Sequence, residues 1–341
     1  MGQERHWDER IEISDSGELR AMTFSVDGKH VLSCSRDGVR VWRVADGKQM
    51  ATMEAQAVCL AVSKDGRWIA AGTRSAKVHV WDAKTYTQVF VYHEDSTVTA
   101  VEFSPDSSHL VCALQHGAAT VWEIATREKV HALRHEDWVF AAKYSSQGDR
   151  IATTTGHSVR VYDGDDGRLF VDIEITVTQW VSGTLVWSNN HLLVVSDGEI
   201  KQFEASTGLP VSGCPAPDID PFSYIALSKH GEFIAYSAKR TVIFFDMATY
   251  TQLGLIQHPQ DIWSIALSPD NLFIAIGGED GKIIIEGLSR ITVSSMCCWI
   301  RACMNNFTPK SRWHAMLGIY IRAKATRRTE FDFGKPRQRS A

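Results

Sequence analysis

The stretch STVTAVEFSPDSSHLVCALQHGAATVWEIATREKVHALRH, Ser96 to His135, decides the fold. Four short runs rich in Val, Ala, Leu and aromatic residues are separated by turn material at Ser104–Ser108, Gln115–Gly117 and Ala125–Glu128. That spacing leaves no room for helices, and it suits strands of about five residues joined by hairpins. The unit recurs outward in both directions. The words MTFSVDG (Met22 to Gly28), LAVSKDG (Leu60 to Gly66) and IALSPD (Ile265 to Asp270) echo its VEFSPD.

Self-similarity at a fixed period can be counted. The last bulky residue of each third run falls at Trp42, Trp81, Trp122, Tyr162, Phe203, Phe245 and Ile285, at spacings of 39, 41, 40, 41, 42 and 40. The turn serines Ser25, Ser63, Ser104, Ser145, Ser188, Ser228 and Ser268 give 38, 41, 41, 43, 40 and 40. Two independent markers therefore count seven four-stranded units. The fifth is the least regular, with Asn189-Asn190 where the others carry Asp-Gly or its like. The seventh supplies three strands, and Arg10-Ile11-Glu12-Ile13 before the first unit is a spare one. Pairing of residues 8–14 with the strand around Ile283–Ile285 is expected, because closure removes exposed sheet edges.

A four-stranded unit of this length resembles the WD40-repeat family of β-propellers over residues 11–288. The Trp-Asp dipeptide of that family stands at Trp81-Asp82 and softens to Trp42-Arg43, Trp122-Glu123, Tyr162-Asp163 and Phe245-Asp246. The resemblance implies an all-β, seven-bladed propeller closed by its N-terminal strand. It also implies a structural set: hairpin acids Asp37 and Asp280, histidines His93, His135 and His258, strand residue Ser33, and Trp42, Trp81 and Trp122. No unit carries all four members of the family's buried His–Asp–Ser/Thr–Trp network, so blades are expected to lean on apolar contacts.

The charge is divided. Residues 1–288 carry 25 Lys and Arg against 38 Asp and Glu, a net of −13, while residues 289–341 carry 11 against 2, a net of +9. A mildly acidic body is no nucleic-acid groove, so the basic tail (Arg322–Arg328 and Lys335–Arg339) is the sole nucleic-acid candidate. Residues 8–288 are read as the propeller and 289–341 as a loosely ordered tail with a short helix near Trp313–Ala325. The CPAPDIDPF segment, Cys214 to Phe222, reads as a loop bulging from a face. The N-terminus reads as neither secretory signal nor myristoylation site, since His6 stands where Ser or Thr is needed. Seven scattered cysteines fit a reducing compartment, cytoplasm or nucleus, and no apolar run approaches the ~20 residues of a membrane span.

The catalytic search is nearly empty. No phosphate loop, nucleophile elbow or His-Glu-x-x-His pair occurs. His93-Glu94-Asp95 and His135-Glu136-Asp137 recur at equivalent places and read as structural histidines followed by solvated loops. Cys297, Cys298, Cys303 and His314 lack the paired spacing of a tight zinc site. No metal, no cofactor and no enzyme activity is expected. In the WD-repeat family, residues seven and five before the turn Ser, and the residue before the hairpin Asp, surround the central channel on one face. Arg20, Arg36, Trp138, Phe140, Asp261, Trp263 and Glu279 match those positions. The resemblance thus implies a scaffold binding a peptide or protein there, in a multi-subunit assembly; aromatics beside Asp261 and Glu279 would suit an Arg- or Lys-bearing peptide. The alternative is a propeller hydrolase or lactonase with a polar or metal site in the channel.

Overall fold

A computed structural model describes residues 10–15, 17–175, 185–196, 199–214 and 224–288, with side chains throughout except at 212–214. These residues form 28 strands and no helix. The strands make seven four-stranded antiparallel sheets, each a meander apart from the last. Blades 1 to 7 cover 21–53, 57–93, 98–134, 141–174, 185–214, 225–257 and 262–287, the last completed by Ile11–Ser14. The first strand of each blade touches the first strands of both neighbours, which closes an inner ring. The chain is a seven-bladed β-propeller.

The turn between first and second strands explains the period. In six blades the turn Ser hydroxyl donates to an acid two or four residues on, as from Ser25 to Asp27 at 2.6 Å and from Ser145 to Asp149 at 2.6 Å. It accepts the backbone N–H five residues on, as at Trp68 and His109, both at 2.9 Å. The turn then needs one left-handed residue, and all seven blades supply it: Gly28, Gly66, Ser107, Gly148, Asn189, Gly231 and Asn271. Asn tolerates that conformation better than other side-chain-bearing residues do. Asn189 at φ 52° therefore makes the irregular fifth unit a blade like the rest.

Closure follows the expected register: Ile11, Glu12, Ile13 and Ser14 pair with Ile285, Ile284, Ile283 and Lys282. Ile13 is buried with Leu19, Met22, Phe24, Trp42, Ile283 and Ile285, a cluster that welds blade 7 to blade 1. One marker moves. Trp42 pairs with Val31 and Phe245 with Ile234, each the second residue of its strand; the equivalent pair in blade 7 is Glu286 with Ile274. The bulky-residue pattern pointed to Ile285, which instead faces the blade 1 side of the core. The Cys214–Phe222 loop, the zinc candidate, the basic segments and the 313–325 helix all lie outside the described residues, Cys214 contributing only its backbone.

Candidate interaction face

Blades 1, 3, 4 and 7 are braced by side chains from the segment that enters them from the preceding blade. In blade 1 the bracing group is Asp15. Its carboxylate accepts Ser33 Oγ at 2.7 Å and pairs with Arg40, while Trp42 Nε1 donates to Ser33 Oγ at 2.8 Å. In blade 3 it is Glu94, which accepts from Thr120 Oγ1 and Trp122 Nε1 and pairs with Lys129 at 3.0 Å. Glu94 is buried and His93 is exposed. Two blades thus carry a network built on a carboxylate, where blades were expected to lean more on packing than on a buried polar network.

In blade 4, His135 Nε2 meets Thr153 Oγ1 at 3.2 Å and Tyr162 OH at 3.3 Å. Burial pushes the His135 pKa down to about 4, so its ring is neutral at pH 7. His258 in blade 7 is buried and hydrogen-bonds the Gln260 backbone through Nδ1. It occupies space that Gly278 leaves open; a Cβ there would stand 2.2 Å from the ring. Asp37 and Asp280 are exposed at hairpin tips, where Asp280 Oδ1 accepts the Lys282 N–H at 3.1 Å. Blade 2 has no such network: Trp81 is buried and stacks on His79 at 5.6 Å.

With the blades held this way, the second hairpins and the loops entering each first strand form one face, and on it five of the seven interaction candidates come together at blades 7 and 1. Arg20 Cζ lies 5.3 Å from the centre of the Trp263 ring, linking blade 1 to blade 7. Arg20 also donates to Glu18 at 2.7 Å, and Arg36 comes within 3.6 Å of the same carboxylate. Glu279 N–H donates to the Asp261 carbonyl at 3.0 Å. Arg240, on the blade 6 hairpin, donates to the Asp261 carboxylate at 3.0 Å. The result is a strip of alternating charge across blades 6, 7 and 1, with one aromatic ring inside it. Its most open cations are Arg36 and Arg240, with side chains 70% and 61% exposed.

Trp138 and Phe140 belong to blade 4. Phe140 is only 8% exposed, and Trp138 is half-buried with its N–H on Asp137 at 2.7 Å. Arg240 was not among the sequence candidates, because its hairpin, Ala238-Lys239-Arg240-Thr241, has no Asp to mark the position. Alignment to the end of the preceding strand puts Lys239 at the Arg36 position and Arg240 where Asp37 stands in blade 1.

Along the inner ring, the residue two before each turn Ser is Thr23, Ala61, Glu102, Lys143, Val186, Ala226 or Ala266. Glu102 bridges blades 3 and 4: it accepts Tyr144 N–H at 3.1 Å and lies 3.7 Å from Lys143 Nζ. Burial pushes its carboxyl up, against the pull of Lys143 and Lys64. Among the described residues, no three His, Cys, Asp or Glu side chains converge to hold a metal.

These features have counterparts in known proteins. The WD domain, G-beta repeat family matches residues 11–43, 47–82, 84–123, 127–163 and 250–285, more than half of the chain. Intraflagellar transport protein 122 homolog of Danio rerio is 20% identical over 305 residues, 85% of this chain and 25% of that protein. Eukaryotic translation initiation factor 3 subunit I of Neurospora crassa is 23% identical over 314 residues, 80% of this chain and 89% of the other. U3 small nucleolar RNA-associated protein 15 homolog of Xenopus laevis is 23% identical over 237 residues, 67% and 45% of the two chains. The chain thus spans about a quarter of the length of the intraflagellar transport relatives.

Proposed function

The chain belongs to the WD domain, G-beta repeat family, and from that premise we propose that it is a non-enzymatic scaffold seating a peptide or protein partner on the face described above. The observation that carries this reading is the strip Arg240–Asp261–Trp263–Arg20–Glu18–Arg36. Its aromatic ring is held by a cation from the neighbouring blade, and arginine and tryptophan are the residue types enriched at binding hot spots. Preformed charge pairs of this kind set register and partner choice more than raw affinity. The initiation-factor relative is by its name a subunit of an assembly, which supports a partner role for a propeller of nearly the same length.

An Arg- or Lys-bearing peptide fits the strip less well than the bare sequence suggested. Arg20 already covers Trp263, and Arg240 already engages Asp261. The accessible cations favour a partner that offers carboxylates beside an apolar group. The working unit is residues 8–288, acting in the cytoplasm or nucleus. Residues 289–341 form a basic tail that is the candidate for nucleic-acid contact, with no membrane role. A hydrolytic channel site finds little support in a ring whose polar members are Thr23 and the bridged pair Glu102 and Lys143.

The test is affinity capture from cell extract, comparing wild type with Arg36→Glu/Arg240→Glu and with Trp138→Asp, each checked for folding by circular dichroism. Loss of specific partners in the arginine double variant alone supports the strip. Retention of those partners in every variant removes this face from consideration.

A further inference from the structure

Seven blades leave seven seams, and the one between blades 2 and 3 has a chemistry of its own. A row of rings runs across it: Trp68 to Phe90 at 6.1 Å between centroids, Phe90 to Tyr92 at 5.0 Å, and Tyr92 to Trp122 at 4.5 Å. Cations lie against three of these rings. Arg67 Cζ is 5.1 Å from the Trp68 centroid, Arg127 Cζ 5.0 Å from Phe90, and Lys129 Nζ 5.0 Å from Trp122. Lys129 is committed to Glu94. Arg67 and Arg127 are exposed, and among the described residues no carboxylate comes within 4.0 Å of either guanidinium. Arg40, Arg43, Arg160 and Arg240, by contrast, each hold an Asp.

The backbone at Arg127 adds a second observation. This turn position is left-handed in blades 1 to 6, and it is glycine in three of them: Gly47, Gly167 and Gly208. Tyr86 and Tyr250 also occupy it, and both are half-buried against apolar clusters. Arg127, at φ 64°, is the exposed case. A side chain in this conformation is strained, and such strain gathers at functional positions. Here it lays a guanidinium across the seam onto Phe90 of the preceding blade. An arginine held flat on a ring keeps its donor edge outward and has less freedom to lose when it grips a carboxylate. Val89 and Val130, both 40% exposed, lie on the outer strands of blades 2 and 3.

We propose that the seam between blades 2 and 3 is a docking surface for an acidic protein segment, with Arg67 and Arg127 gripping its carboxylates and the exposed Val89, next to Phe90 on the outer strand, available to an aliphatic side chain. The surface lies at the end of the blades opposite the second hairpins, and it stands whether or not the central face binds anything. Two observations favour an acidic peptide over a nucleic acid. The rings are covered by one another and by the cations, which leaves no platform for bases. Residues 1–288 also carry a net charge of −13, which repels a polyanion as a whole while allowing a short acidic segment at a local basic site.

Fluorescence anisotropy of the full chain tests this with a fluorescein-labelled Glu-Leu-Glu-Gly repeat peptide, a Lys-Leu-Lys-Gly counterpart and oligouridylate. The expected result is salt-sensitive binding of the Glu peptide, weakened roughly tenfold or more by Arg67→Glu/Arg127→Glu. Arg127→Gly should also weaken it while keeping or raising the melting temperature, because the glycine relieves the left-handed strain. Arg168→Glu, a charge reversal on blade 4 away from the seam, should leave the affinity unchanged. Preference of the Arg67→Glu/Arg127→Glu variant for the Lys peptide would support the site further. No binding of the Glu peptide overturns the proposal, as does binding that neither seam variant weakens. Arginine-dependent binding of oligouridylate tighter than that of the peptide overturns it in favour of nucleic acid.

Discussion

Glu94 shows how one residue does another's work. A histidine in this place would accept one hydrogen bond; the carboxylate accepts from Thr120 and Trp122 and still pairs with Lys129. Replacing it with Ala strands two donors in the interior and leaves a half-buried ammonium without its partner. We expect Glu94→Ala to lower stability by about 3 kcal/mol and Glu94→Gln, whose amide oxygen can still accept, by about 1 kcal/mol. Urea titration followed by tryptophan fluorescence reads both, and equal losses would remove the charge from the explanation. His135 makes the opposite prediction about protons. Its folded pKa of about 4 lies below the ordinary 6.5, so the unfolded chain takes up the proton first as pH falls. The contribution of His135 is intact above about 6.5 and drains away toward about 4. The stability difference between wild type and His135→Gln should therefore shrink across that window, and thermal melts at pH 7 and pH 5 measure it. The sequence could place a bracing residue near His93 but could not choose between neighbours, because His93 and Glu94 are both plausible partners until the strand register fixes which one turns inward.

At the scale of elements, the N-terminal strand is an outer strand like those of the other blades, but it comes from the opposite end of the sequence and closes the ring. It adds one ladder to blade 7, and then Asp15, just beyond its end, reaches into blade 1. Ile13, 4% exposed, anchors it in the cluster shared by both blades. Ile13→Ala should cost about 2–4 kcal/mol. Ile13→Asp should release the strand altogether, leaving Lys282–Gly287 as an open edge that promotes association. Size-exclusion chromatography would show higher oligomers for the Asp variant; a monomer with an unchanged melting temperature would refute this account of closure. Most of this architecture was legible in the sequence, because turn serines, left-handed residues and third-strand aromatics each repeat with the unit and report its period independently. Two things were not. Glu286 stands where an aromatic was sought, so the pattern slid to Ile285. Arg127 and Phe90 lie in different units, and contacts across a seam leave no mark on a period read within one unit.

For the molecule as a whole, closure changes how stability is shared. An open array of repeats has two ends that fray, and its stability is roughly a sum over neighbours. A closed ring has none, since each first strand here has two neighbours and the last blade borrows its fourth strand from the start of the chain. Every strand among the described residues lies between Ile11 and Gly287, and Leu288 is already buried in the cluster shared by blades 6 and 7. Nothing in the described ring needs a residue beyond 288 to complete a sheet. A chain ending at residue 288 should therefore fold, melt in one transition and keep its melting temperature within a few degrees of the full chain. Its charge moves from −4 to −13, which should raise its solubility near neutral pH and remove any affinity for polyanions that the tail confers. Differential scanning calorimetry and oligouridylate titration of the two chains separate these effects. A large fall in melting temperature would mean that residues 289–341 brace the ring. Polyanion binding that survives the truncation would shift the basic site onto the propeller, with the exposed arginines Arg67 and Arg127 as the first residues to change.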